Sequence, residues 1–293
     1  MLVPADSFFG AYPRIEVSGS RIDTLGTIHR LASAVDYTLD GRDLTAHAYF
    51  KSSGKQKEKN AVLIIPGTGD NQATAILNRD RNNYHHDITF AVLRLCDIYI
   101  YVKPNEDFLA VYNSQHRLSY EYIVGHLINR GGSYSALYLN HTLAVIKHLQ
   151  SVYDNVIVIG LSQGGKAALL NALQSNPDGV VVSSGFSVLE EFAYGAGLGQ
   201  ITVPGIDEHY GVPEAYELMR DSSTRFLFTY GKKERGIYGI EAHERFTCDY
   251  FADLPNVECM VHKQGHGFPI PVIRHFVIST IAGESVEFED WLE

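Results

Sequence analysis

The pattern of hydrophobic and polar positions changes character near residue 60. Between residues 12 and 51 apolar and polar positions alternate, in Arg14-Ile15-Glu16-Val17, in Val35-Asp36-Tyr37-Thr38-Leu39 and in Leu44-Thr45-Ala46-His47-Ala48-Tyr49-Phe50. A period of two marks a strand with one wet face, and Asp40-Gly41 between the last two runs predicts a hairpin. From Ala61 the alternation stops. Ala61-Val62-Leu63-Ile64-Ile65 offers no polar position, as expected of a strand covered on both faces. Similar runs recur at 98–102, 156–159, 180–182, 226–230 and 257–261. Helical patterning falls near 83–96, 134–151, after Ser162, and near 238–252 and 270–282. Antiparallel strands followed by repeated strand–helix units predict an α/β fold, with a mostly parallel sheet and helices on both faces.

Two segments are too long for simple crossovers. Residues 104–132 carry many aromatics and Gly131-Gly132, and residues 185–222 carry Gly195-Ala196-Gly197-Leu198-Gly199 with Pro204 and Pro213. Long insertions in a compact domain are usually functional, so both are expected to be lid or insert segments of a single domain spanning 1–293.

Composition narrows the class of partner. Net charge is −10 with a pI near 5.7, and the 24 basic residues are scattered. A nucleic-acid partner is disfavoured on that balance, as is an anionic membrane surface. The lysines from Lys51 to Lys59 lie among Ser, Gly, Gln and Glu and read as a solvated loop. No apolar run approaches the roughly 18 residues a membrane span needs. Met1-Leu2-Val3-Pro4-Ala5-Asp6 lacks a basic and then apolar leader pattern. Cys96, Cys248 and Cys259 are too few for a disulfide framework and read as packing residues in a reducing, cytoplasmic setting. No cofactor is expected. A metal site at His85-His86-Asp87 is disfavoured, because adjacent residues on a helix point different ways.

The chemistry concentrates in Val156-Ile157-Val158-Ile159-Gly160-Leu161-Ser162-Gln163-Gly164-Gly165. G-x-S-x-G between a strand and a helix is the sharp turn that lifts a serine hydroxyl above a sheet. The same window, with Gly165-Lys166, comes one residue short of a phosphate-binding loop, but Ala167 has no oxygen for Mg²⁺. A nucleophilic serine needs a base, an acid and an oxyanion hole, in the chain order Ser, acid, His on such a sheet. Strand 226–230 runs into Gly231-Lys232-Lys233-Glu234, and strand 257–261 into Gln264-Gly265-His266-Gly267. His266 is therefore the candidate base and Glu234 the candidate acid, with Glu190, Asp207, Glu208 and Glu241 as lesser candidates. Lys232, Lys233 and Arg235 would keep Glu234 ionised, or else simply face solvent. The amide after the nucleophile, on Gln163, and that of Thr68 in Pro66-Gly67-Thr68-Gly69 are the candidate oxyanion donors.

These four motifs, Pro66–Gly69, Gly160–Gly165, Gly231–Glu234 and Gly265–Phe268, together resemble the α/β-hydrolase superfamily over about residues 35–283. The elbow and histidine loop look most like the dienelactone hydrolase, acetyl xylan esterase and S9-peptidase-like branch. That resemblance implies an eight-stranded sheet, a Ser–His–acid triad and acyl-enzyme chemistry on a small-molecule ester or acyl substrate. Pro66 stands where a histidine is usual, leaving the oxyanion loop without its common side-chain brace, and Glu234 where aspartate is more frequent. Amide or C–C bond hydrolysis, acyl transfer, and a binding protein that has lost its chemistry remain open beside ester hydrolysis.

Overall fold

The computed structural model describes residues 20–25, 28–39, 42–51, 59–69, 72–104, 106, 124, 133–185, 210–234 and 247–284. The expected strand at Arg14–Val17 lies outside them, as do residues 186–209 and nearly all of 107–132 of the expected inserts. Nine strands form one sheet: β1 Ser20–Leu25, β2 Ile28–Leu39, β3 Arg42–Lys51, β4 Asn60–Ile65, β5 Asp97–Val102, β6 Asn155–Leu161, β7 Gly179–Ser183, β8 Arg225–Gly231 and β9 Val257–His262. Their order is β1-β2-β3-β5-β4-β6-β7-β8-β9. The first three are antiparallel and join the edge of β5, while β4 to β9 make a six-stranded parallel sheet. Among the described residues the sheet thus has nine strands, where the resemblance implies eight. The added pairing comes from β1 and the first half of β2, where Ser20↔Ser33 to Leu25↔Ile28 make a second hairpin.

The unbroken apolar runs are explained by helices on both faces. In β4, Ala61, Leu63 and Ile65 face the core under α3 (Tyr134–Val152), α4 (Gln163–Ser175) and α5 (Val212–Arg220). Val62 and Ile64 face the opposite core under α1 (Gln72–Leu77), α2 (Ile88–Val92) and α6 (Ile270–Ala282). Each fully buried Val or Ile contributes roughly 1.5–3 kcal/mol of transfer free energy, which accounts for the apolar run Ala61–Ile65. The single helix expected near 83–96 is the short α2 preceded by turns. Asp80, Asn82 and Asn83 bond locally, and Asp87 enters the helix with φ 60°. Within the expected 185–222 insert, residues 212–220 are helix, with Ala215 and Met219 buried.

The cysteine expectation is also corrected. Cys248 and Cys259 form a disulfide with Cα atoms 5.4 Å apart, and Cys96 alone is a buried free thiol. The argument for a reducing compartment drawn from cysteine usage therefore no longer stands. Among the described residues, no helix is long and apolar enough to cross a membrane.

Candidate active site

β4 lies between β5 and β6, so the crossovers into and out of β5 run in opposite directions, and ligands in open α/β sheets bind outside the strand ends at such a reversal. Ile65 pairs with Gly160, so the loop after β4 and the turn after β6 emerge side by side. Ser162 sits in that turn with φ 59° and ψ −122°, a conformation costly for a residue with a Cβ. Gly160 and Gly164 make the turn possible. A Cβ on Gly160 would strike the Gly164 carbonyl, and one on Gly164 would strike the Ile65 carbonyl. Ser162 N–H donates to Ser183 O at 2.8 Å, and α4 starts immediately, with Gln163 at its first position. The Gln163 N–H is thus at a helix N-terminus, where no intrahelical acceptor exists.

Glu234 and His266 come together from adjacent strand ends. His266 Nδ1 is 3.3 Å from Glu234 Oε2. The other carboxylate oxygen accepts from Gly231 N–H at 2.8 Å and from the Ser184 hydroxyl. Burial raises the Glu234 pKa, but the hydrogen bonds from His266, Ser184 and Gly231 outweigh it and hold the carboxyl below its ordinary range. An ionised carboxylate suits a group that must stabilise an imidazolium. Lys232 and Lys233 are exposed and take no part in that balance, and Arg235 lies outside the described residues, as do Glu190, Asp207, Glu208 and Glu241. Ser184, just past β7 with φ 50°, escaped sequence reasoning. Its position at a strand end beside the acid turn was the only signal.

The Pro66–Gly69 loop lies against Ser162: a Cβ on Gly67 would come within 3.2 Å of Ser162 Cβ. Contrary to expectation, this loop is heavily braced. Tyr138 OH donates to Pro66 O at 3.2 Å, and Gly67 N–H donates to His85 Nε2 at 2.8 Å. Lys103 Nζ donates to Gly67 O at 2.6 Å and Gly69 O at 2.8 Å, while Tyr84 OH donates to Thr68 O at 2.6 Å. His85 thus holds the Gly67 N–H from a different segment. His85 Nδ1 lies 2.6 Å from Asn83 Oδ1, which selects the tautomer that leaves Nε2 free to accept. Burial, then the charge of Lys103 and the nearness of His266, push the His85 pKa down to about 3, so the ring is neutral. The Thr68 N–H makes no hydrogen bond within the described residues.

An aromatic column links the brace to the base. The Tyr84 ring centroid is 4.1 Å from that of His85 and 5.5 Å from that of His266. Beside His266 opens a cavity of about 260 Å³ lined by Tyr84, His86, Gln264, Phe268 and Ile270 among others. Among the described residues no cluster of three or more His, Cys, Asp or Glu could hold a metal ion.

No protein-family model matches this sequence, and no curated relative matches it. Solved structures do. Est1E from Butyrivibrio proteoclasticus aligns over 86% of this chain and 99% of its own, with TM-score 0.53 and 13% identity. A Bacteroides fragilis protein assigned as an acetyl xylan esterase aligns over 88% and 72%, with TM-score 0.61 and 13% identity. The esterase Pf2001 from Pyrococcus furiosus aligns over 86% and 90%, with TM-score 0.50 and 14% identity. At such identities the likeness is one of fold alone: an α/β fold with a mostly parallel sheet and helices on both faces.

Proposed function

We propose that this chain is a serine hydrolase cleaving a carboxylic ester of a small or medium acyl group. Ser162 Oγ attacks the carbonyl carbon as His266 takes its proton, and Glu234 stabilises the resulting imidazolium. The Thr68 and Gln163 N–H groups receive the oxyanion. Collapse of the tetrahedral species breaks the C–O bond, and His266 returns its proton to the departing alcohol. Water, deprotonated by His266, then adds to the acyl-enzyme and releases the acid, restoring Ser162.

The observation that carries this reading is the strained Ser162 backbone at the end of β6, with a histidine–carboxylate pair on the loops after β8 and β9. A strain of this kind persists only where the surrounding structure enforces it, and here two glycines do so. Structural neighbours named as esterases support an ester substrate. The cavity beside His266 is assigned to the alcohol side of the ester, because the departing oxygen must lie within reach of that imidazole. Labelling with a fluorophosphonate probe and mapping the modified peptide tests the reading. An adduct on Ser162 is expected; folded protein that stays unlabelled would overturn it.

A further inference from the structure

Lys103 is wholly buried, directly after the C-terminal end of β5, and grips the carbonyls of Gly67 and Gly69. A lysine is rarely placed in a protein interior, because removing an ammonium from water is costly unless fixed partners replace its hydration. The consequence lies in the peptide planes it touches. In a trans peptide the C=O and the following N–H point in opposite directions. Fixing Gly67 O toward Lys103 Nζ therefore fixes the Thr68 N–H away from it. The neighbouring planes are held independently, Pro66–Gly67 by Tyr138 and His85 and Thr68–Gly69 by Tyr84. Thr68 N–H is left without a partner in the described residues, one residue past Gly67, whose Cβ position lies against Ser162.

Resting on the serine-hydrolase reading of this site, we propose that Lys103 is the positioning residue of the oxyanion hole. Its ammonium holds the Gly67–Thr68 peptide in the one orientation that presents the Thr68 amide to the oxyanion, and adds positive potential behind that amide. A preorganised donor is effective because it does not reorient as charge develops. Lys103 acts through Thr68 and does not itself touch the substrate.

The test pairs Lys103→Met with Lys103→Arg, and follows kcat, KM and the affinity for an alkyl boronic acid, which forms a tetrahedral anionic adduct on serine. Removing a whole oxyanion donor costs about 10²–10³-fold in kcat. Losing only its orientation is expected to lower kcat by about 10–10²-fold, with KM little changed. Boronate affinity should fall in proportion, while product-acid affinity holds, and Lys103→Arg should recover part of both losses. Unchanged kcat in folded Lys103→Met would overturn the proposal, and so would parallel losses of kcat, product affinity and melting temperature, which mark a purely structural role. Should Lys103→Met not fold, the boronate adduct of the wild-type protein decides. Its oxygen should lie about 3 Å from Thr68 N with the Lys103–Gly67 bond intact; any other donor in place of Thr68 N–H sinks the idea. Loss of boronate binding in Ser162→Ala shows that the serine-hydrolase reading stands, so the two can fail separately.

Discussion

The Ser162 turn and the Pro66–Gly69 loop emerge from neighbouring strands, yet they are enforced in different ways. The Ser162 turn is set by main chain: Gly160 and Gly164 are required because the Gly164 carbonyl and the Ile65 carbonyl of the adjacent strand fill the space a Cβ would take. The oxyanion loop is set by side chains from elsewhere, with Tyr84, His85, Lys103 and Tyr138 lying 16, 18, 36 and 72 positions from the groups they hold. A locally enforced turn fails at once when one residue changes. A loop held by several side chains fails in parts, and each part can be measured separately.

Gly164→Ala is expected to give the largest effect on the elbow side. The new methyl meets the Ile65 carbonyl, so β4 and α4 must separate. Overpacking of this kind costs about 3 kcal/mol or more where backbone cannot yield, and Ser162 loses its position, lowering activity by about 10³-fold as for loss of a triad member. Denaturant unfolding and esterase assays check both figures. Glu234→Gln comes next, with kcat reduced about 10²–10⁴-fold and substrate binding less affected. If another carboxylate carries the acid role, kcat will stay near that of the wild type.

The braced loop should show a weaker and pH-dependent response. His85 titrates near about 3 when folded against an ordinary 6.5, because it is buried and faces Lys103 and His266. Between those values the unfolded chain binds a proton that the native protein does not, so stability rises with pH. Acidification from 6.5 to 5 should therefore remove about 2 kcal/mol through His85, at about 1.4 kcal/mol per pH unit. The loss levels off below about 3. His148 and His262 are also lowered by burial, so the contribution of His85 is read as the difference between wild type and His85→Gln. Glutamine keeps an acceptor for the Gly67 N–H but has no proton to gain, so its stability profile should be flatter over that interval. Parallel profiles would mean that His85 is not the buried neutral group described.

The same contrast governs what could be seen in the sequence. The parallel strands were legible because burial on both faces leaves unbroken apolar runs, and β6 to β9 match expectation to within a residue or two. The elbow was legible because Gly160, Ser162 and Gly164 lie within five residues, although the Ile65 carbonyl that excludes a Cβ at Gly164 lies on another strand. Glu234 and His266 were placed at strand ends by the order this fold imposes, and the structure brings their side chains together. Lys103 and Tyr138 were not legible. One looks like a lysine after a strand and the other like ordinary helix content, and only the folded sheet carries them to Pro66–Gly69. The Cys248–Cys259 disulfide was hidden for the same reason, since both residues sit in apolar or amphipathic runs.

The most direct test of the central claim is to trap the acyl-enzyme. The protein is mixed with excess p-nitrophenyl ester and quenched within one turnover, and the mass of the intact chain and of its peptides is measured. One acyl group per chain, on the peptide containing Ser162 and absent from Ser162→Ala, is the predicted result, with a burst of one equivalent of nitrophenol. Turnover with no acylated chain, or an acyl group that persists in Ser162→Ala, would contradict the account.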